Sequence, residues 1–293
     1  MVSTAARFDL SQCWRYKNVV GWLYGGRFEA GVCLKNLRTY GKAPFRMAVI
    51  HGGPGAAGEM APVALELSAD VGVLEPLQTA LTLAGQIEEL KTVLENNAAL
   101  PVVLIGFSWG AWLSYLVTAK YPDLIKKLIL VGSACFEEAY AAQISETRLS
   151  RLSDGDKTEI NSIVDVINDA AAENRNAAFA RLGQLLSKAD AYDPITRESE
   201  PIDYNVDIYQ GVWKDAALLR KSGELLELGR RIRCPVVALH GDYDPHPAEG
   251  VHKPLSAIIN NFRFVLLNNC GHKPWNEWEA RDTFYQIIRN ELH

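Results

Sequence analysis

The chain has 293 residues, enough to bury a large core in one α/β domain that carries an insertion. Its 30 basic and 35 acidic residues are interspersed and give a net charge of −5 at pH 7, so no basic patch indicates binding to nucleic acid. No apolar run reaches the roughly 18 residues of a membrane-spanning helix, which argues against a membrane protein.

The cysteines and the first residues of the sequence bear on the cellular compartment. The five cysteines are odd in number and lack the spacing of a metal site or of a disulfide framework. They are Cys13, Cys33, Cys135, Cys234 and Cys270. The first nine residues lack the apolar segment of a secretory signal peptide. We therefore predict a cytoplasmic protein with reduced thiols.

Strand-like and helix-like segments alternate along the first 133 residues, which is typical of a mostly parallel sheet with helices on both faces. Residues 17–38 are predicted to form an early antiparallel hairpin that turns at Gly25 and Gly26. An apolar strand at 45–50 runs directly into the glycine loop at 51–55. The segments that follow are a helix at 63–68, a strand at 71–74, a helix at 86–94, a strand at 101–105, a helix at 111–117 and a strand at 127–132.

One of the strand-to-helix turns has a distinctive sequence, Gly106-Phe107-Ser108-Trp109-Gly110. Glycine on both sides permits a tight turn that lifts the Ser108 hydroxyl off the sheet. The N-terminus of the next helix carries a positive dipole and free backbone N–H groups, which favour a developing oxyanion. This context predicts a nucleophile elbow with Ser108 as the nucleophile.

The composition changes after residue 133. Residues 134–231 are rich in Ala, Glu, Asn and Arg and show helical periodicity without a convincing parallel strand. We therefore predict an all-helical cap at 134–231, inserted into a core formed by 1–133 and 232–293. The predicted cap helices lie at 138–149, 157–172, 177–188 and 214–228, with a looser stretch at 190–205. Core strands follow at 235–241 and 262–267, and an amphipathic helix at 278–292 comes after them.

A serine hydroxyl needs a base to attack at neutral pH, and the base needs an acid that orients it. Suitable residues follow the two late strands: Asp244 after the first and His272 after the second. Because parallel strands end on one rim of the sheet, we expect both side chains to meet Ser108 there. Asp242, which lies two residues closer to the strand, is the alternative acid.

Other histidines compete with His272 for the role of base. His240 is expected to lie within its strand, whereas His246 and His252 fall in a proline-rich stretch. His51 begins the glycine loop and is expected to brace it. Cys270 is interpreted as a structural thiol.

The glycine loop His51-Gly52-Gly53-Pro54-Gly55 fits the second half of an oxyanion hole. Glycines let the backbone approach a substrate closely and turn an N–H toward it. We predict the backbone N–H groups of Gly53 and Trp109 as the two donors, with Gly52 as the alternative to Gly53. Trp109 would act through its backbone, which leaves its indole available to line the pocket.

Taken together, the loop His-Gly-Gly-Pro-Gly and the turn Gly-x-Ser-Trp-Gly resemble the proline iminopeptidase branch of the α/β-hydrolase superfamily. The resemblance covers residues 43–133 and 232–290 and the order of all the motifs. It implies an α/β-hydrolase fold, a Ser–His–Asp hydrolase, and a helical cap over the site.

The sequence departs from that branch in two places. Residues 73–82 lack the Asp-x-Arg-Gly-x-Gly-x-Ser-like loop that usually follows the first glycine loop. The cap lacks the Trp-x-x-Trp-Glu pattern near which the peptidases hold the amino group of the substrate. Glu137, Glu138 and Glu146 are candidates for that role, and a solvated helix face is the alternative interpretation.

From these patterns we predict a serine hydrolase that needs neither a cofactor nor a metal ion. It would cleave a small-molecule or short-peptide ester or amide, including an N-terminal amino-acid amide, through an acyl-enzyme on Ser108. The alternatives are a carboxylesterase or C–C bond hydrolase without peptidase activity, and a ligand receptor on the same fold. The aromatic candidates for the pocket wall are Trp109, Trp213, Tyr209 and Trp275.

Overall fold

The computed structural model of the protein describes residues 36–196 and 202–292. The predicted hairpin at 17–38, with its turn at Gly25 and Gly26, lies outside the described residues except at its very end. The division into a core and a cap remains a prediction, and we refer to residues 134–231 as the cap segment.

A seven-stranded sheet forms the centre of the described structure, in the order β1-β4-β2-β5-β6-β8-β9. Strand β1 runs antiparallel to β4, and the other neighbouring pairs are parallel. The strands are β1 (Leu37–Tyr40), β2 (Phe45–Ile50), β3 (Ala56–Ala57), β4 (Gly72–Pro76), β5 (Val102–Phe107), β6 (Ile125–Val131), β7 (Asp203–Tyr204), β8 (Val236–Gly241) and β9 (Phe262–Leu267). The prediction of a mostly parallel sheet is thereby confirmed.

The α-helices flank the sheet and make up most of the cap segment. The first three and the last two are α1 (Ala61–Leu67), α2 (Leu83–Asn97), α3 (Trp109–Lys120), α9 (Glu249–Ile258) and α10 (Arg281–Asn290). The cap segment contains α4 (Glu138–Ser150), α5 (Asp154–Asn168), α6 (Arg175–Asp190), α7 (Val206–Ser222) and α8 (Glu224–Glu227). None of the described helices combines the length and the apolar character needed to cross a membrane.

Side chains of the central strand β5 alternate between two separate cores, as the period of two in a strand requires. Val102 and Leu104 pack on the face covered by α2 and α3. Val103, Ile105 and Phe107 pack on the other face, against α1 and α10. Both faces of the sheet are therefore covered, which explains why the strand is apolar throughout.

Helix α9 was not predicted from the sequence. It begins three residues after His246 and contains His252. We had predicted a proline-rich stretch without a helix for both histidines. Gly250 and Pro254 weaken the helical signal, because both residues are poor helix formers. The helix forms nevertheless because Val251 and Leu255 are completely buried, so tertiary packing outweighs intrinsic propensity.

The cap segment also contains one two-residue strand, β7, that the sequence analysis did not include. Its residues Asp203 and Tyr204 pair antiparallel with Ala57 and Ala56 of β3. This small sheet joins the cap segment directly to the chain that follows the glycine loop.

Candidate active site

Ser108 lies in a tight turn between a strand and a helix, as predicted. It follows the last residue of β5 and has a φ angle of 51° and a ψ angle of −114°. Its backbone N–H donates to the carbonyl oxygen of Val131 at 2.9 Å. A positive φ at a residue other than glycine costs about 1–3 kcal/mol, so the surrounding structure must hold the turn in place.

The two glycines of the turn are required by close backbone packing. A Cβ atom on Gly106 would lie 2.2 Å from the carbonyl oxygen of Gly110. A Cβ atom on Gly110 would lie 2.3 Å from the carbonyl oxygen of Ile50 on strand β2. Helix α3 therefore begins directly against the sheet, which is what a nucleophile elbow requires.

Asp244 and His272 meet in a hydrogen bond. His272 Nδ1–H donates to Asp244 Oδ2 at 2.7 Å, and both residues are buried. Asp244 follows β8 and His272 follows β9, which are adjacent parallel strands. Because a carboxylate can only accept, the hydrogen of neutral His272 is on Nδ1, and its Nε2 keeps a lone pair.

Asp242, the alternative acid, does not contact His272 in the structure. Its side chain is exposed to solvent. Its Oδ1 accepts the backbone N–H of Cys270 at 3.1 Å. Asp242 thus connects the loops after β8 and β9, while Asp244 is the acid that reaches the histidine.

Two neighbours of the Ser108 turn, the Phe107 ring and Gly132, lie beside His272. The ring of Phe107 is 4.8 Å from the ring of His272, centroid to centroid. The carbonyl oxygen of Val131 accepts the Ser108 N–H, and the next residue, Gly132, packs against His272. A Cβ atom on Gly132 would lie 3.2 Å from His272 Nδ1. Within residues 36–196 and 202–292 no hydrogen bond joins the Ser108 hydroxyl to His272. Such bonds often tighten only when substrate binds.

The charges of Asp244 and His272 stabilise each other. Burial by itself would raise the pKa of Asp244, but the nearby His272, His240 and His246 outweigh it and hold that pKa well below its usual 3.8. Burial would lower the pKa of His272, but the charge and the hydrogen bond of Asp244 outweigh it and raise that pKa above its usual 6.5. Asp244 is therefore ionised near neutral pH and favours the imidazolium form of His272.

His240 and His246 surround the same carboxylate, whereas His252 does not. His240 lies in β8, as predicted, and its Nε2–H donates to the carbonyl oxygen of His246 at 2.8 Å. His246 donates to Asp244 from Nδ1 at 2.8 Å. Sequence reasoning considered His246 only as a competing base and missed this contact. The spacing Asp-Pro-His, in which a carboxylate can bond to the residue two positions later, was the available signal.

His252 lies apart from the site. It is exposed on α9, and its ring stacks on Phe264 at 4.5 Å between centroids.

His51 braces the glycine loop, as predicted. It is fully buried, its Nδ1–H donates to the carbonyl oxygen of Gly52 at 2.7 Å, and its Nε2 accepts the backbone N–H of Gln78 at 3.4 Å. Burial lowers the pKa of His51, so the imidazole is neutral near pH 7. Both ring nitrogens are occupied by backbone groups, one in the glycine loop and one after β4, which leaves no proton-transfer role for this residue.

Gly53 is better placed than Gly52 to face a ligand. Gly53 has a φ angle of 50° and is partly exposed. Gly52 is buried, and a Cβ atom there would lie 2.7 Å from Glu59 Oε2 and 2.8 Å from the ring of Phe107. The positive φ at Gly53 is the conformation for which glycine is favoured.

The side chain of Trp109 belongs to the core and is 1% exposed. Its indole N–H donates to Gln86 Oε1 at 3.3 Å, so the expectation of an indole that lines the pocket is wrong. Trp275 is likewise buried, with its ring 4.7 Å from that of Phe107. Tyr209 and Trp213 are partly exposed and stack on each other at 6.4 Å, which leaves these two as candidates for the pocket wall.

The cap segment is bonded to both loops of the site. On one side, the backbone N–H of Asn205 donates to the carbonyl oxygen of Gly55 at 2.8 Å. On the other side, the backbone N–H of His272 donates to the carbonyl oxygen of Asp190 at 2.9 Å. The Asp190 carboxylate receives two hydrogen bonds from Arg148, at 2.7 and 2.6 Å.

Glu277 makes a second connection between the cap segment and the His272 loop. Its buried carboxylate accepts the backbone N–H groups of Tyr192 at 2.9 Å, Asp193 at 2.7 Å and Gly271 at 3.1 Å. Sequence analysis did not single out Glu277, because nothing in its local pattern indicates three distant backbone donors.

The three cap glutamates that we considered as amine-binding groups are all exposed. Glu138 instead accepts a hydrogen bond from Arg220 at 2.8 Å. The structure therefore supports the interpretation of a solvated helix face for Glu137, Glu138 and Glu146.

Asp244, His246 and His272 offer ligand atoms within 4.8 Å of one another, a spacing that a metal ion could use. In the structure, however, the Nδ1 hydrogens of both histidines point to the Asp244 carboxylate. These hydrogen bonds fully account for the cluster, and the three residues do not need a metal ion to explain their arrangement.

A family model described as the α/β hydrolase fold matches residues 31–275. The chain therefore belongs to the α/β-hydrolase family, and the predicted fold and resemblance are confirmed.

The matched relatives catalyse different hydrolytic reactions. A proline iminopeptidase of Saccharolobus solfataricus is 25% identical over 269 residues, which cover 83% of this chain and 83% of the relative. A 2-hydroxy-6-oxononadienedioate/2-hydroxy-6-oxononatrienedioate hydrolase of Escherichia coli is 24% identical over 208 residues, 69% of this chain and 66% of that protein. The crystal structure of VinJ superimposes with a TM-score of 0.60 at 18% identity, covering 91% and 98% of the two chains. The family membership defines a hydrolase and leaves the type of bond open.

Proposed function

We propose that the protein is a serine hydrolase that cleaves a small ester or amide through an acyl-enzyme on Ser108. The observation that carries this proposal is the buried 2.7 Å hydrogen bond between His272 and Asp244, next to a serine held at a positive φ angle. The candidate nucleophile Ser108, acid Asp244 and base His272 follow one another along the chain in the order found in the α/β hydrolases.

In the first step, His272 Nε2 takes the proton of the Ser108 hydroxyl while its oxygen attacks the carbonyl carbon of the substrate. Asp244 stays ionised, accepts the hydrogen bond from His272 Nδ1–H and stabilises the imidazolium that forms. The backbone N–H groups of Gly53 and Trp109 donate to the oxyanion of the tetrahedral intermediate. Gly53 belongs to the glycine loop after β2, and Trp109 is the first residue of α3.

In the second step, the imidazolium of His272 gives its proton to the leaving group, and the bond between the acyl carbon and the leaving group breaks. A water molecule then loses a proton to the same Nε2 and attacks the acyl-enzyme. Collapse of the second intermediate returns the proton to Ser108 and releases the acid.

The three cap glutamates are exposed, so they are not placed to hold the amino group of a substrate. This favours an ester or amide substrate without a free amino group. An N-terminal amino-acid amide is the second candidate, and it is supported by the similarity to the iminopeptidase over 83% of the chain. A C–C bond hydrolase is the third, supported by the Escherichia coli relative. A ligand receptor on the same fold, with little turnover, is the remaining alternative.

The test is a comparison of kcat/KM on a short-chain aryl ester and on a prolyl arylamide, with Ser108→Ala as the control. Turnover of the ester that depends on Ser108 supports the first candidate, and a preference for the arylamide supports the second. If neither substrate is turned over, an organophosphonate tests whether Ser108 reacts covalently. Labelling without turnover would direct the search to C–C bond substrates, and the absence of labelling would favour the receptor.

We also propose that the protein acts in the cytoplasm on a small molecule or short peptide. The free thiols of Cys135, Cys234 and Cys270 in the described structure are consistent with a reducing compartment. Fractionation of cells that express the tagged chain would test this location.

A further inference from the structure

The carboxylate of Asp244 is held by two imidazole rings rather than one. Oδ2 accepts from His272, and Oδ1 accepts from His246 Nδ1 at 2.8 Å. Oδ1 also accepts the backbone N–H of His246 at 2.9 Å. One residue therefore donates twice to the carboxylate oxygen that faces away from His272.

The backbone of His246 is itself anchored to the sheet. His240, the fifth residue of β8, donates from Nε2 to the His246 carbonyl oxygen at 2.8 Å. Pro245, between Asp244 and His246, restricts the backbone of this short turn. His246 thus connects a buried strand to the carboxylate, with its position set from both sides.

His246 also contacts His272 directly. Their ring centroids are 4.7 Å apart and the ring planes differ by 24°, which is a stacked arrangement. The His272 ring contacts Phe107 as well, at 4.8 Å. His246 is therefore in a position to limit the rotation of both the acid and the base.

We propose that His246 is a positioning residue: its Nδ1–H locks the rotamer of Asp244, and its ring supports His272. Through these two contacts it keeps the Asp244 carboxylate and the His272 imidazole aligned with Ser108. This inference rests on the proposed function, because it assigns a supporting role in the same hydrolytic site.

His246 can fill this role only as a neutral ring. The charged or titratable groups around it are Asp244, His272, His240 and Arg148. Burial lowers its pKa to about 4, although Asp244 opposes the shift. Two stacked imidazoles beside one carboxylate would repel each other if both were charged. With His246 neutral, His272 is the ring that carries the proton during the reaction.

The matched variants are His246→Asn and His246→Gln. The amide nitrogen of asparagine can occupy the place of imidazole Nδ1, whereas that of glutamine falls near Nε2 and leaves Asp244 Oδ1 without this donor. The exposed His252→Gln, outside the cluster, is the control. Thermal unfolding of each variant comes first, so that only folded proteins are compared.

We expect His246→Gln to lower kcat by about 10- to 100-fold with little change in KM, because the buried Asp244 Oδ1 loses its side-chain donor and keeps only the backbone N–H of residue 246. The acid limb of its pH profile should move up by about half a pH unit or more, because a less hydrogen-bonded Asp244 is a stronger partner for the imidazolium. His246→Asn should restore both values to near wild type.

Equal losses in both variants with an unshifted acid limb would overturn the proposal, since a merely structural role predicts that result. The titration of the His272 Nδ1–H by proton NMR measures the same shift without substrate. The NMR titration therefore tests the role of His246 separately from the proposed hydrolase function. The proposed hydrolase function fails if turnover by the wild-type protein does not depend on Ser108. An unshifted NMR titration in His246→Gln would also overturn the inference.

Discussion

The backbone carbonyl oxygen of Asp190 accepts the backbone N–H of His272 at 2.9 Å. Asp190 is the last residue of helix α6 in the cap segment, and His272 is the proposed base of the candidate site. The packing here leaves no spare room, because a Cβ atom on the preceding Gly271 would lie 2.3 Å from the same carbonyl oxygen. The cap segment is thus part of the scaffold that positions the base, in addition to any role in covering the substrate.

Ser108→Ala is expected to lower kcat/KM by about 10⁴-fold or more, because the nucleophile is lost while the oxyanion donors remain. Ser114→Ala is the matched control on helix α3. The Ser114 hydroxyl is buried and has no hydrogen-bond partner in the part of the chain that the structure describes. Its removal should therefore leave activity unchanged and stability equal or higher. Steady-state kinetics and thermal unfolding check both variants; activity in Ser108→Ala close to wild type would refute the mechanism.

Asp244→Asn should lower turnover by about 10⁴-fold, because an amide group that presents its N–H to His272 favours the wrong imidazole tautomer. Asp242→Asn is the paired variant. It removes a carboxylate that is exposed and bonded only to the Cys270 backbone among the described contacts, so its effect should stay below about threefold. Measurement of kcat and KM for the two variants under the same conditions shows which aspartate is the acid. A larger loss in Asp242→Asn would show that the acid is wrongly assigned.

The pH dependence of kcat/KM should show an acid limb whose midpoint lies above 6.5. His272 must be neutral to accept the proton of Ser108, and its pKa in the folded protein is raised by Asp244 in spite of burial. Activity therefore falls as the pH drops through that raised value. Asp244, with a pKa held well below 3.8, stays ionised over the same range. Initial rates from pH 5 to pH 9 test this, and a midpoint below 6.5 contradicts it.

Glu277→Gln should destabilise the protein by about 1–3 kcal/mol, because an N–H₂ group replaces one of the oxygens that accept three buried backbone N–H groups. It should also lower kcat, since the Gly271 N–H next to His272 is one of the three donors. Glu279→Gln is the control, as its exposed carboxylate contacts the side chain of Asn269. Urea unfolding and kinetics give the two readouts. Equal stability of the two variants would refute the role of Glu277.

The elbow and the meeting of Asp244 with His272 were predictable from sequence because each depends on short-range features. The two glycines around Ser108 indicate a tight turn, because no larger residue fits at either position. The strand at 262–267 was predicted with the same bounds that it has in the structure. Once the parallel strands are identified, the side chains after their ends must share one rim. The choice between Asp242 and Asp244 needed coordinates, since both residues follow the same strand.

Helix α9 and strand β7 could not be predicted for a common reason. Helix α9 exists because Val251 and Leu255 are buried, although Gly250 and Pro254 oppose it. Strand β7 exists because β3 is available to pair with it. Local preference was overridden by partners that lie elsewhere in the chain.

The sequence by itself determined the order of the six mutually parallel strands, the serine turn and the residues placed at the ends of the late strands. These features follow from local backbone geometry, from the apolar pattern and from chain order. Only the tertiary structure decided that two histidines share Asp244 and that Arg148, Asp190 and Glu277 tie the cap segment to the His272 loop. The contacts of Arg148 with Asp190 and of Tyr192 with Glu277 span 42 and 85 positions. No periodicity encodes such pairings, because buried polar groups find their partners only when the chain has folded.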